Sequence, residues 1–304
     1  MLTKIKMPLP DIMNAALALD DSILDGDQVE NLIKFCPTEE DVELLKNYTG
    51  DKESLGKCEQ FFLELMKVPR VEAKLKVFCF KLQFNNQRAD IRKSLYTVDS
   101  ACEEIRNSNK LKEIMKKILS LGNTLNRGTA RGAAVGFRLD SLLKLTDTRA
   151  TNNKTTLMHY LCKVLDSRSS HLMDFHKDFI SLEAASKIQL KALADEQRGV
   201  VKGLEKLETE LIASENDGIV SEVFCKRLKD FTVAAGAEVR SLTALYTAVE
   251  NNADGLALYF GEDPAGCPFE QENCKLAALE KKNTLKDADT DGPKSANSIN
   301  KHGR

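Results

Sequence analysis

The chain has 304 residues, 42% of them apolar and 30% charged, with 44 Lys and Arg against 46 Asp and Glu for a net charge of -2. That length can bury a sizeable core in one large domain or two medium ones, and so balanced a charge names no polyanionic partner. No run approaches the ~18 apolar residues of a membrane span, and Leu-Thr-Lys-Ile-Lys-Met-Pro after Met1 lacks a signal-peptide core, so a cytoplasmic protein with no membrane segment is expected.

Proline occurs at positions 8, 10, 37, 69, 264, 268 and 293, leaving the 194 residues from Arg70 to Asp263 without one. Proline removes an amide donor and clashes with the preceding turn, so its long exclusion favours helix. Short helices are expected near 11–19, 26–35, 39–48 and 57–67. Thr38 can cap the third, with Glu39, Glu40 and Asp41 at its positive end and Gly50 as its stop. Longer helices follow to about 126. Ile91, Leu95, Val98, Cys102 and Ile105 recur at helical spacing, as do Leu111, Ile114, Met115, Ile118 and Leu119. Two-residue alternation at Phe78, Phe80, Leu82 and Phe84 has no turn residues beside it and is read as helix.

Leu190, Leu193, Gln197, Val200, Leu204, Leu207 and Leu211 step by three and four, which is a heptad seam. A second seam runs from Phe224 to Tyr259, interrupted at Glu238 and Asn252, and Asn216-Asp217-Gly218 supplies the reversal between the two. An antiparallel pair is expected, with a third helix from earlier in the chain; an ordinary helical bundle has the same pattern. Past Phe269 apolar content falls away, and 271–304 is expected to be a disordered tail.

Chemistry is sparse. The four histidines have no metal spacing, and G-x-S-x-G, G-x-G-x-x-G and the P-loop pattern are all missing, so neither an enzyme nor a cofactor is expected. The eight cysteines form no C-x-x-C pair and read as reduced core residues. One segment stands apart: a glycine-rich break at 122–140, flanked by helices, where glycines permit positive φ and close approach of another chain. A helix stop followed by an irregular turn is the plainer reading. Over 122–154 the cations Arg127, Arg131, Arg138, Lys144, Arg149 and Lys154 face only Asp140 and Asp147, a local +4 that suits an acidic partner. Nucleic-acid binders usually interleave aromatic side chains with such cations; Phe137 is the sole aromatic at 122–154, so a protein surface is the better fit.

Gly122-Asn123-x-x-Asn126-x-Gly128-Thr129-x-Arg131-Gly132-x-Ala134-x-Gly136-Phe137-x-Leu139 closely resembles the signature of the formin homology-2 domain, in the manner of plant class II formins. The likeness continues through Ser141-Leu142-x-Lys144-Leu145-x-Asp147-x-Arg149 and Lys154-x-Thr156-Leu157-Met158-His159-Tyr160. Upstream it includes Ala101-Cys102-Glu103-Glu104-Ile105 and Leu65-x-x-Val68-Pro69-Arg70-Val71, and it spans roughly 2–269. The resemblance implies an all-α, elongated fold: a knob-like lobe at 1–69, a long helix at 70–108, a post bearing the glycine-rich loop at 109–180, and an antiparallel coiled-coil stalk at 181–260.

It also implies a cytoskeletal role in assembling unbranched actin filaments as a ring of two subunits. In such a ring the post groove, shaped here by Gly122, Asn123, Asn126, Gly128, Arg131, Gly132, Gly136 and Phe137, receives the N-terminal lasso of a partner formin subunit. Arg149 takes the position of a basic residue, commonly lysine, that contacts actin; Lys154 is the second expected actin contact. The family's Trp-containing lasso, its linker, its Asn-x-x-Ile motif and a Pro-rich profilin-binding region are not found in these 304 residues. Nucleation and processive elongation are therefore expected to be impaired, and capture of an intact formin's lasso is the alternative expectation. Nucleic-acid binding through Arg127, Arg131 and Arg138 is the least favoured.

Overall fold

The computed structural model describes residues 8–149 and 154–266, so Met1 to Lys6 and the expected tail at 271–304 lie outside the described residues. Every extended element among the described residues is a helix. Four short ones come first: α1 (Leu9–Leu17), α2 (Gly26–Lys34), α3 (Glu39–Asn47) and α4 (Lys57–Leu65). Reciprocal caps start two of them. The Asp25 carboxylate accepts from the Gln28 amide at 2.8 Å while the Gln28 side chain accepts from the Asp25 amide at 3.0 Å, and Thr38 and Asp41 repeat the exchange. Gly50 is not the stop residue of α3. That helix ends at Asn47, because Tyr48 turns to extended backbone two positions earlier.

The apolar faces of α1, α2 and α4, including Ile12, Val29, Leu32 and Leu65, close over Leu75 and Phe78 at the start of α5 (Val71–Asn107). This 37-residue helix is about 56 Å long. Its Phe-x-Phe-x-Leu-x-Phe stretch mimics a strand for a physical reason. Phe78 packs in the N-terminal core, Phe84 in the core of the bundle, and Phe80 against both, so the helix is covered on more than one face and loses its simple amphipathic period.

A break at Ser108 separates α5 from α6 (Asn109–Leu125). The buried Ser108 hydroxyl caps Leu111 and donates to Asp178. Next come α7 (Lys144–Asp147), α8 (Leu157–Ser169) and α9 (Leu182–Ser186), and Ile114, Leu145, Leu161, Leu165 and Leu172 form a separate small core beneath the glycine-rich loop.

Two long helices follow, α10 (Leu190–Ser214) and α11 (Glu222–Tyr259). They turn back on one another through Gly218, whose φ of +74° suits glycine. Gln197 donates to Thr243, while Leu207 packs near Phe224 and Leu228, which fixes an antiparallel register. On the expected seams Leu193, Val200, Leu207, Phe224, Leu228, Leu242 and Val249 are buried. The two interruptions have partners: Glu238 takes Arg88 at 2.9 Å, and Asn252 donates to Asp99 at 2.9 Å. Those partners lie on α5, which is the third helix, parallel to α11 and antiparallel to α10.

The cysteine expectation needs correction. Cys102 is buried and Cys36, Cys79 and Cys225 are half-buried, but Cys58 and Cys162 are exposed because they fall on the outer faces of α4 and α8. Burial pushes the thiols of Cys36 and Cys102 up to about 11, so both stay protonated.

Where α5 begins, charges are buried together. Lys74 and Asp217, their side chains 3% and 5% exposed, meet at 2.6 Å, and Arg70 reaches Asp217 at 2.7 Å and Glu210 at 3.2 Å. Ser221 donates to Asp217, Ser214 to Glu210, and the Lys74 ammonium also donates to the Pro69 carbonyl and lies over the Phe224 ring. Burial alone would push the Asp217 carboxyl up; the hydrogen bonds from Lys74, Arg70 and Ser221 outweigh it and hold the group below its ordinary 3.8. Lys74→Ala should cost about 3–5 kcal/mol in urea unfolding, since removing one partner strands buried charge. Because the folded Asp217 value is depressed, its contribution is complete above 3.8 and is lost as pH falls through the lowered value. Unfolding free energies measured across that range should fall more steeply for the wild type than for Asp217→Asn.

At mid-bundle a Cβ on Gly203 would overlap the Phe80 ring. Gly203→Ala should therefore lower stability by about 1–3 kcal/mol despite its better helix propensity, and Phe80→Leu in the same chain should recover part of the loss in thermal melts.

Candidate functional site

The glycine-rich segment leaves the end of α6 and is held at both ends by asparagine. Asn123 brackets Ala134, donating to its carbonyl at 2.9 Å and accepting from its amide at 2.8 Å. Asn126 donates to the Gly122 carbonyl at 2.9 Å, satisfying a helix-end acceptor, while its own carbonyl accepts from the Thr129 amide and hydroxyl. Between these ties the chain turns at Gly128, with φ +81°, and at Ala133, with φ +62°. The tip faces water: Val135 is 100% exposed, and Arg127, Arg131 and Arg138 are exposed as well.

The loop and α6 enclose a cleft of about 460 Å³. Six of the expected groove residues line it: Gly122, Asn123, Asn126, Arg131, Gly136 and Phe137. Gly122 and Gly136 have open space where a Cβ would stand, so the missing side chains are part of the cleft. Gly128 and Gly132 are not brought to its wall. Gly128 makes the turn, and Gly132 lies against its own chain, where a Cβ would stand 2.7 Å from the Asn126 carbonyl oxygen.

At its far end the cleft reaches Thr148 and Leu157. There the Leu157 amide donates to the Thr148 carbonyl at 2.8 Å, and an isolated antiparallel bridge pairs Arg149 with Thr156. Arg149 and Lys154 are both exposed, and the bridge sets Arg149 beside the start of α8, where Thr156 and His159 exchange caps.

A second cleft of about 390 Å³ lies across Phe137 and Gly136, between the other face of α6 and the end of α11. Its Tyr259 and Phe260 escape a reading of the loop, because they lie more than a hundred residues downstream. So does Glu262, whose carboxylate accepts from the Leu139 amide at 3.2 Å and stands 3.7 Å from the Arg138 guanidinium. Glu262 thus adds a carboxylate beside Arg138 that the charge balance of 122–154 does not contain. Phe137 is half-buried between the clefts, a wedge rather than a fully covered core anchor.

The Formin Homology 2 Domain family matches residues 1–277. The chain belongs to this family. It is 67% identical over 311 residues to Formin-like protein 5 of Oryza sativa subsp. japonica, covering 97% of this chain and 19% of the relative. Formin-like protein 12 of the same organism is 71% identical, covering 91% of this chain and 16% of the relative; Formin-like protein 20 of Arabidopsis thaliana is 66% identical, covering 94% and 18%. The chain thus spans a fifth or less of the length of these relatives. The family match also runs eight residues beyond Phe269, where the resemblance read from sequence stops.

For this formin homology-2 chain the two kinds of glycine separate experimentally. Gly132→Ala should push the Asn126 carbonyl out of place and speed tryptic cleavage at Arg127 and Arg131, whereas Gly136→Ala, with nothing near its Cβ, should leave the cleavage rate unchanged.

Proposed function

We propose that this chain binds actin at filament barbed ends, with the Arg149 and Lys154 rim as a contact and the neighbouring cleft as the seat for a strap from a second formin homology-2 subunit. Membership of the family supports the actin reading. The observation that supports the residue assignment is one cleft running from Gly122 to Thr148, the residue next to Arg149 in the chain. Recognition is by shape and charge: acidic side chains on actin would meet a net cationic face, and the protein itself acts in the cytoskeleton without covalent chemistry.

In barbed-end depolymerisation and pyrene-actin assembly assays the wild-type chain should slow subunit loss. Arg149→Glu together with Lys154→Glu, folded by circular dichroism, should weaken that effect at least about tenfold, a difference of about 1.4 kcal/mol. An inert wild-type chain at high concentration would sink the reading. The same pair of assays separates end binding from nucleation.

A second reading, capture of the lasso of an intact formin, draws on the room left at Gly122 and Gly136. Gly122→Leu fills the cleft from the last turn of α6 and improves helix propensity, so it should abolish binding of a lasso peptide without lowering stability. Undiminished peptide binding by that variant would rule the cleft out as the seat.

A further inference from the structure

Away from the loop, the middle of α5 carries a groove that neither the actin contact nor the strap seat uses. It has a volume of about 530 Å³ and is bordered by Arg88, Arg92, Lys93, Tyr96, Ser100 and, from across the groove, Ser181. The three cations Arg88, Arg92 and Lys93 border the groove, and Glu238 pairs with the two arginines, at 2.9 Å from Arg88 and 3.4 Å from Arg92. Arg92 is poorly satisfied. Its two contacts, to Glu238 at 3.4 Å and to the Ser241 hydroxyl at 3.5 Å, are long, which leaves the outer nitrogens of the partly exposed guanidinium weakly held. A guanidinium offers five donors, and a group left this short of acceptors is completed well by an oxyanion.

From this geometry we infer that the groove binds a phosphoryl group carried on a polypeptide. A dianion there would face two guanidiniums and an ammonium, against Glu238 on the arginines and Glu104 on the Ser181 amide at the far wall, with serine hydroxyls as further donors. The choice of carrier follows from access. The Arg88 and Arg92 side chains are only 28% and 33% exposed, drawn down against α11, so a flat bilayer would not reach them, whereas a phosphorylated side chain can enter. Tyr96, 54% exposed at the rim, offers an aromatic surface to the flanking peptide. The site stands independently of actin binding, being set on a different helix.

The test uses the full chain and fluorescence anisotropy of a labelled Gly-Ser peptide with one phosphoserine, beside its unphosphorylated twin and phosphatidylcholine vesicles containing phosphatidylinositol bisphosphate. The phosphopeptide should bind about tenfold or more tightly than the twin, the scale of a charge-assisted hydrogen bond. Arg92→Gln and, separately, the exposed Lys93→Gln should weaken it with unchanged helical signal. Glu238→Gln should tighten it, because it frees both arginines, whereas a purely structural trio of charges predicts the opposite sign. Equal binding of the twin, vesicle binding without peptide binding, or weaker binding by Glu238→Gln would overturn the proposal.

Discussion

The arrangement of the molecule depends on the cluster of charges at the head of α5. Arg70 occupies a left-handed backbone position, φ +50°, at the point where the N-terminal lobe hands over to the long helix. That conformation costs a non-glycine residue on the order of 1 kcal/mol. Here it aims the guanidinium at Glu210 and Asp217, on the far side of the α10–α11 turn. Lys74, one turn further on, meets the same two carboxylates. Buried ion pairs are a poor source of net stability, since desolvation consumes most of the attraction, but a mispaired one is very costly. The cluster therefore acts mainly on register: sliding α5 against the α10–α11 turn by even one residue would leave two carboxylates and an ammonium buried without partners.

Register at the head is transmitted to the foot by three helices of fixed rise. At the lower end Asn252 donates to Asp99 and Glu103, and Arg106 meets the Gly255 carbonyl and the Tyr259 ring. The end of α11 consequently arrives beside the glycine-rich loop, where Tyr259 and Phe260 wall the second cleft and Glu262 takes the Leu139 amide. The loop is thus positioned from two directions: by its own asparagine brackets and by a helix that was placed about 57 Å away, the length of the 38-residue α11.

Much of this was legible in sequence because local rules and tertiary packing agree. The caps at Thr38 and the reversal at Gly218 are local, and the seams of α10 and α11 bury on the side their spacing indicates. Even the less obvious family residues have physical reasons: Leu65, Val68 and Val71 fill the N-terminal core, Glu104 accepts from the Ser181 amide, and Thr156 and His159 cap α8. What could not be read is non-local. Lys74 and Asp217 are ordinary surface residue types, and only the fold buries them against each other. The contribution of Glu262 to the cationic face is hidden for the same reason, as is the sharing of Glu238 by two arginines, which the heptad pattern registers merely as a defect.

The glycines of the signature show how one residue type serves opposed ends. Gly128 and Gly132 give the loop its shape, one by a positive φ and the other by letting the backbone close on the Asn126 carbonyl; a side chain at either would deform the loop before any partner arrived. Gly122 and Gly136 do the reverse. Their conformations tolerate a side chain, and the space beside them is empty, so nothing in the folded chain alone demands glycine there. A helix end such as Gly122 would be more stable with almost any other residue, by up to about 1 kcal/mol. That cost is offset only if something else comes to fill the space, and it is this unfilled room, rather than the richness in glycine as such, that supports the proposed seat for another chain.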